Sequence, residues 1–192
     1  MSERVVGAIL AGGQSRRMGT AKAGVRLDDD STLSERVLQA LSQVCDEVVV
    51  LGHGEGCPEG LERLADPPGK SGPLAGLLAL LQSGRGARYL VAACDMPLLS
   101  HALLARLVEE GAGAEAACFV AEGQRELEPL PLLLSPSARP PLEERLLRGE
   151  LRLMAFVAAL SPRLVPLSEN DAALLANANR PEDLERLRGG SR

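Results

Sequence analysis

Val5-Val6-Gly7-Ala8-Ile9-Leu10 is an unbroken apolar run that stops at the glycine pair Gly12-Gly13. A run this short and apolar at every position fits a strand buried on both faces of a parallel sheet, because an alternating pattern would leave one face in water. The chain therefore opens on an interior strand.

Helix and strand signals then alternate. Ser31-Thr32-Leu33-Ser34-Glu35 contains Thr-x-x-Glu, a capping box, ahead of Leu33, Val37, Leu38, Leu41 and Val44 at helical spacing, which predicts a helix over about 33–44. Glu47-Val48-Val49-Val50-Leu51 reads as a second strand. Ser71-Gly72-Pro73-Leu74 starts a helix with Pro in its first turn and Leu74, Leu77, Leu78 and Leu81 as its apolar stripe; Arg88-Tyr89-Leu90-Val91-Ala92-Ala93 is a third strand. Leu103, Leu104, Leu107 and Val108 make a third helix after Ser100, and Glu115 to Val120 a fourth strand. This alternation specifies an α/β fold, a three-layer α/β/α sandwich with a mostly parallel sheet.

After residue 120 the pattern loosens. Glu122-Gly123-Gln124-Arg125 reads as a turn between strands, and Glu128-Pro129-Leu130-Pro131-Leu132-Leu133-Leu134 as an edge or mixed strand because of its prolines. Pro140-Pro141 restarts a helix, and Leu142, Leu146, Leu153, Phe156, Val157 and Leu160 suggest two helical segments broken at Gly149. A short strand near Arg163-Leu164-Val165 and a helix from about Pro181 to Arg188 complete the chain. With no repeat, linker or low-complexity tract, residues 1–192 read as one domain.

Composition narrows the partners. The 21 basic residues are 19 Arg with only Lys22 and Lys70, against 26 acidic residues, so the net charge is -5 and no global field attracts nucleic acid. Tyr89, Phe119 and Phe156 are too few aromatics for a base-stacking surface. Cys45, Cys57, Cys94 and Cys118 form no C-x-x-C pair, and His53 and His101 lack ligand-spaced neighbours, which argues for reduced thiols and against zinc. There is no leader-like start and no apolar run of about 18 residues, so the expectation is a cytoplasmic protein without a membrane partner.

The chemistry concentrates after the first strand, where an open parallel sheet places its ligands. Leu10-Ala11-Gly12-Gly13-Gln14-Ser15-Arg16-Arg17-Met18-Gly19-Thr20-Ala21-Lys22 matches neither G-x-x-x-x-G-K-[ST] nor G-x-G-x-x-G. Its paired glycines nevertheless let backbone N–H groups approach an anion, while Arg16, Arg17 and Lys22 bring three cations to one loop. A triphosphate suits it.

The order Leu-Ala-Gly-Gly-x-Ser-x-Arg-Met-Gly-x-x-Lys resembles the signature of nucleotidyltransferases with a Rossmann-like sheet, and the Leu-Ala-Gly-Gly form resembles the molybdenum cofactor guanylyltransferases, the MobA family. Three further strings are similar to that family's: Asp66 followed by Gly72-Pro73-Leu74-Ala75-Gly76; Cys94-Asp95-Met96-Pro97; and Asn177-Ala178-Asn179-Arg180-Pro181-Glu182-Asp183-Leu184. They span residues 10 to 184.

The resemblance implies a nucleotide-diphospho-sugar-transferase type of fold, its half up to about 120 binding nucleotide and the rest binding the acceptor. It implies transfer of GMP from GTP with Mg²⁺ to the molybdenum–molybdopterin cofactor, releasing pyrophosphate. Lys22 and Arg16, with Arg17 as second choice, would face the triphosphate; Asp95 and Asn179 would hold Mg²⁺; Leu10, Ala11, Gly12, Gly13, Asp66, Gly72 and Gly76 would bind nucleoside. On position alone, Asp95 reads equally as a helix cap or as the lone hard carboxylate that faces a Mg²⁺–phosphate group. Asn179 reads as the cap of a helix starting at Pro181, and Asn177 shares its side of an extended segment. Asp66 can accept from guanine or from ribose. Arg152, in the Gly149-Glu150-Leu151-Arg152 turn, would reach a pterin phosphate. Transient contacts with cofactor-delivery proteins and molybdoenzymes are implied as well.

Two departures keep alternatives open. Ala21 stands where the family has an acidic residue before its lysine, which admits a non-catalytic nucleotide-binding protein. The turn Leu51-Gly52-His53-Gly54 lacks the family's Asn, which admits a cytidylyltransferase or a sugar-phosphate nucleotidyltransferase. Lys70 has no family counterpart.

Overall fold

In the computed structural model, which describes residues 3–11, 22–27, 31–53, 56–123, 127–178 and 183, strand β1 (Val5–Leu10) is buried along its whole length. Its side chains alternate between two cores. Val5 and Ile9 join one, Val6, Ala8 and Leu10 the other, as the two-residue period of a strand requires.

Helix α1 (Leu33–Ser42) comes next and carries the expected capping box: the Glu35 N–H donates to Thr32 Oγ1 (3.2 Å) and the Thr32 N–H to Glu35 Oε2 (2.6 Å). It ends at Ser42, two residues before the expected Val44, because the chain must turn at Gln43 and Val44 to enter β2 (Glu47–Leu51). The two-residue strand β3 (Arg63–Leu64) has no counterpart among the sequence expectations, since two residues carry no periodic signal. Helix α2 (Pro73–Gln82) is buried almost all round, since it lies between the sheet and a later helix. Strand β4 (Arg88–Ala93) leads to α3 (His101–Glu110), capped by Ser100, then to β5 (Ala116–Ala121) and β6 (Leu127–Leu134). The chain continues through α4 (Arg139–Leu147), α5 (Leu153–Ala159), β7 (Arg163–Leu167) and a short α6 (Glu169–Ala173) that the sequence pattern does not announce. The helix expected from Pro181 to Arg188 lies outside the described residues except for Asp183.

The seven strands are ordered β3-β2-β1-β4-β6-β5-β7, with every pair parallel except the two made by β6. Residues of α1 and α3 contribute to one core, and those of α2, α4 and α5 to the other, which is the expected three-layer sandwich. Among the described residues no helix is long and apolar enough to cross a membrane.

The expectation of an edge or mixed strand at β6 is corrected in position: the strand lies inside the sheet between β4 and β5, antiparallel to both, and it is the sheet that is mixed. Its prolines are tolerated because the ladder to β5 skips them, passing from Cys118 opposite Leu132 to Phe119 opposite Glu128. A bulge at Pro129 to Pro131 needs no donor from either proline.

Candidate active site

Three parallel strands finish level with one another: Leu10 of β1 lies opposite Leu51 of β2 and Ala93 of β4. Two bonds extend this edge, Ala11 N–H to Leu51 O (3.1 Å) and Cys94 N–H to Leu10 O (3.2 Å). The chain after β1 and the turn after β4 thus leave the sheet together, at the end where parallel sheets bind ligands.

On its other side β4 is only partly zipped. Its ladder to β6 covers Tyr89, Leu90 and Val91 and stops there, because β6 bulges at its prolines. Ala92, Ala93 and the turn through Asp95 therefore lie beyond the β6 ladder, although Ala92 stays fully buried.

Nucleoside candidates meet on the other side, above β1 and β2. Gly72, with φ of 88°, caps α2, and Pro73 occupies its first position. One turn on, Gly76 is squeezed against the sheet: a Cβ there would lie 3.1 Å from Leu51 Cβ, 3.5 Å from Leu10 Cδ1 and 3.8 Å from Asp66 Oδ1. The glycine is needed for close approach, and it brings Leu10, Leu51 and Asp66 to one spot. Asp66 Oδ1 is buried there with no hydrogen-bond partner among the described residues. A buried carboxylate oxygen without a donor costs about 1–3 kcal/mol or more, so the arrangement fits an oxygen waiting for a ligand N–H or O–H.

Asp95 and the C-terminal string also meet. The Ala178 N–H donates to the Asp95 carbonyl at 2.8 Å, although 83 residues separate them. Ala178 is buried with Leu33, and Val25 and Leu27 pack around the pair. Asn177 is exposed beside it, and Asn179 lies outside the described residues. Asp95 carries a hard carboxylate and Asn177, next to Ala178, an amide oxygen, donor types suited to a hard divalent cation that also takes phosphate oxygens. Among the described residues no cluster of three His, Cys, Asp or Glu side chains forms a closed metal cage.

Of the cationic loop, Gly12, Gly13, Arg16, Arg17 and Ala21 lie outside the described residues. The backbone of Lys22 opens a 3-10 turn, Lys22–Gly24, whose Ala23 is buried in the α1-side core. His53 is exposed and Lys70 half-buried in the turn before Gly72.

Arg152 stands apart from these groups in the sequence and in the local structure. It lines a cavity of about 260 Å³ with Arg145, Gly149, Glu150, Leu151 and Ala155 at the α4–α5 connection. Arg145 is paired with Glu150 at 2.6 Å, whereas Arg152 makes no ion pair with a described residue, so its charge is available to an anion.

The structure thus brings Leu10, Asp66 and Gly76 together, with Gly72 at the head of the same helix, and puts Ala11 and the turn to Asp95 at the ends of the adjacent strands β1 and β4. Sequence reasoning misses Ser34, which is fully buried and bonded to the Lys22 turn. A signal is present: Ser34 is a polar residue among the buried positions Leu33, Val37 and Leu41 of α1.

Comparison with known proteins gives the family. Residues 7–164 match the MobA-like NTP transferase domain. A probable molybdenum cofactor guanylyltransferase of Opitutus terrae is 38% identical, over 96% of this chain and 95% of its own. The molybdenum cofactor guanylyltransferase of Serratia proteamaculans is 33% identical over 95% and 93%. Among solved structures, molybdopterin-guanine dinucleotide biosynthesis protein A of Archaeoglobus fulgidus superposes with a TM-score of 0.74 at 26% identity, covering 96% of this chain and 97% of that one. With Leu10 and Ala11 following β1 and Asp95 following β4, and with these relatives, the chain belongs to the MobA-like NTP transferase family and is a nucleotidyltransferase.

Proposed function

We propose that this enzyme transfers GMP from GTP to the molybdenum–molybdopterin cofactor, giving the guanine dinucleotide form and pyrophosphate. The observation that carries the base assignment is the unpartnered, buried Asp66 Oδ1 beside Gly76. A guanine edge presents N1–H and an exocyclic amino group side by side, two donors for one carboxylate; cytosine offers only its amino group.

In this reading the triphosphate lies along the loop from Gly12 and Gly13 through Arg16 and Arg17 to Lys22. Its α-phosphorus sits near Asp95. The acceptor phosphate oxygen attacks in line with the departing pyrophosphate, and the protein positions the groups and neutralises charge. The acceptor phosphate is already anionic, so no side chain needs to remove a proton. Lys22 and Arg16 stabilise charge building on the leaving oxygens. Nucleotidyl transfer of this kind calls for a divalent metal; in our reading it is Mg²⁺, which Asp95 and Asn179 would hold and which would draw charge from the phosphate oxygens. Arg152 contacts the pterin phosphate from the α4–α5 cavity, and the half up to about residue 120 binds nucleotide while the remainder binds acceptor. Work on a cytoplasmic cofactor suits such a chain, with transient contacts to delivery proteins and molybdoenzymes.

Thermal-shift titration with GTP, CTP and UTP in the presence of Mg²⁺ tests the base, and pyrophosphate release with loaded acceptor tests the reaction. GTP should stabilise the protein at the lowest concentration. A preference for CTP would move the assignment to a cytidylyltransferase, and tight GTP binding without pyrophosphate release would favour a non-catalytic nucleotide-binding protein.

A further inference from the structure

We infer that Ser34 is a positioning residue for Lys22, a buried hydroxyl that clamps the lysine's turn to the loop after β2. The inference rests on the proposed contact of Lys22 with the triphosphate.

Ser34 is 0% exposed and occupies a position where an apolar side chain would satisfy the packing of α1. Burying a hydroxyl there is unfavourable unless its bonds are made. They are made to two different loops: Ser34 Oγ lies 2.8 Å from the Ala23 carbonyl and 3.1 Å from the Gly56 carbonyl. Having one proton, the hydroxyl shares it between them. Thr32 Oγ1, 3.2 Å from Ser34 Oγ, already accepts the Glu35 N–H, which leaves its own proton for the Ser34 oxygen. The capping box thus orients the hydroxyl that holds the turn.

The two loops also touch directly. Gly56 has φ of 79°, and a Cβ on it would fall 2.5 Å from Gly24 N and 3.0 Å from Gly24 Cα; a Cβ on Gly24 would fall 3.3 Å from Gly56 Cα. The Lys22–Gly24 turn is therefore pressed on the β2–β3 loop at a glycine–glycine contact and bonded to it through one serine. Loss of the hydroxyl leaves the buried Ala23 carbonyl without this donor and releases the base of the lysine. The backbone turn that carries Lys22 is then held by the glycine–glycine contact alone.

The test compares binding of GTP·Mg²⁺ with binding of guanosine, which lacks the group Lys22 would meet. Ser34→Ala should weaken GTP roughly tenfold, the scale of one buried hydrogen bond, and leave guanosine unchanged. Ser34→Cys, similar in size with a weaker donor, should lose less. Lys22→Ala should show the same pattern, and adding Ser34→Ala to it should weaken GTP no further. Equal weakening of GTP and guanosine, or an undiminished loss in the Lys22→Ala background, would overturn the inference. If Lys22→Ala leaves GTP binding intact, the assignment of Lys22 itself fails. Should Ser34→Ala not fold, Ser34→Cys and Gly24→Ala carry the test; Gly24→Ala parts the loops by a few tenths of an ångström without touching the serine, and must also weaken GTP selectively.

Discussion

Strands β1 and β6 are both interior, each hydrogen-bonded on two sides, and they are made from opposite sequence patterns. β1 is apolar at every position, and all six of its residues pair with β4 and five with β2. β6 carries Pro129 and Pro131, gives β4 only Leu132, Leu133 and Leu134, and bulges where the prolines fall. β4 runs between them, sealed to β1 along its full length and to β6 along half. An imperfect strand in the middle of a sheet thus leaves the carboxyl end of β4, before Asp95, without ladder bonds on one side while β1 holds it on the other.

Four experiments bear on this contrast. The largest effect belongs to the carboxyl end of β4. Asp95→Ala should lower metal-dependent pyrophosphate release by about 10³-fold or more while the melting temperature stays within a few degrees, because the change removes charge from a turn rather than volume from a core. Retained turnover would mean that this end is not where the reaction occurs.

The next concerns β6 itself. Leu133 is fully buried and faces Leu90 on one side and Ala117 on the other. Leu133→Ala should destabilise by about 2–5 kcal/mol in denaturant titration, as large-to-small changes in a close-packed core do. A loss well under 1 kcal/mol would mean that β6 behaves as a loosely attached edge after all.

Asp66→Asn probes the unpartnered oxygen beside Gly76, on the β1–β2 side. It should weaken GTP roughly tenfold and narrow its advantage over CTP. Stability should hold or rise slightly, since the buried carboxylate oxygen has no donor in the free protein to lose. A fall in melting temperature with unchanged GTP binding would make Asp66 a structural residue.

The smallest effect is a pH dependence with one thiol beside each strand. Cys45 Sγ lies 3.0 Å from where a Cβ on Gly7 of β1 would be, and burial, with the Asp46 charge adding to it, pushes this thiol up to about 12. Cys118 lies opposite Leu132 of β6, and burial, with Glu128 adding to it, pushes it up to about 11. Both start from an ordinary value of 9.0, so between about pH 9 and 11 the unfolded chain gives up protons that the folded chain keeps. Stability should be fully present below pH 9 and fall above it. Cys45→Ala should flatten that slope more than Cys118→Ala; identical slopes in both variants and the parent would show that neither thiol is responsible.

The regular half is legible because its physics is local. A capping box at Thr32 and Glu35, Pro73 in the first turn of α2, and four apolar runs bounded by turns each specify an element from a few neighbouring residues, and all four of those strands form at the expected places, within one residue at their ends. The candidate site is legible as strings: Leu10 to Lys22, Asp66 with Gly72 to Gly76, Cys94-Asp95, and Asn177 to Asn179. β3 and α6 are not, being two and five residues long with packing as their only signal. Ser34 escapes notice because a small polar residue near a helix start looks like part of a cap, and only its two carbonyl partners from distant loops give it a different role.

Residue order is enough to establish that the chain alternates strands and helices, that its first strand is interior, and which strings carry the chemistry, since periodicity, capping and turn preferences act over a few residues. Which strings meet is a matter of tertiary packing. The Ala178-to-Asp95 bond, the close approach of Gly76 to Leu51 that leaves Asp66 Oδ1 unpartnered, and the insertion of β6 beside β4 all join residues tens of positions apart. Local preference has no bearing on such contacts; they arise from how two buried layers close over one sheet, and they bring a carboxylate, a small-residue turn and a proline-bearing strand to the neighbourhood of β1 and β4.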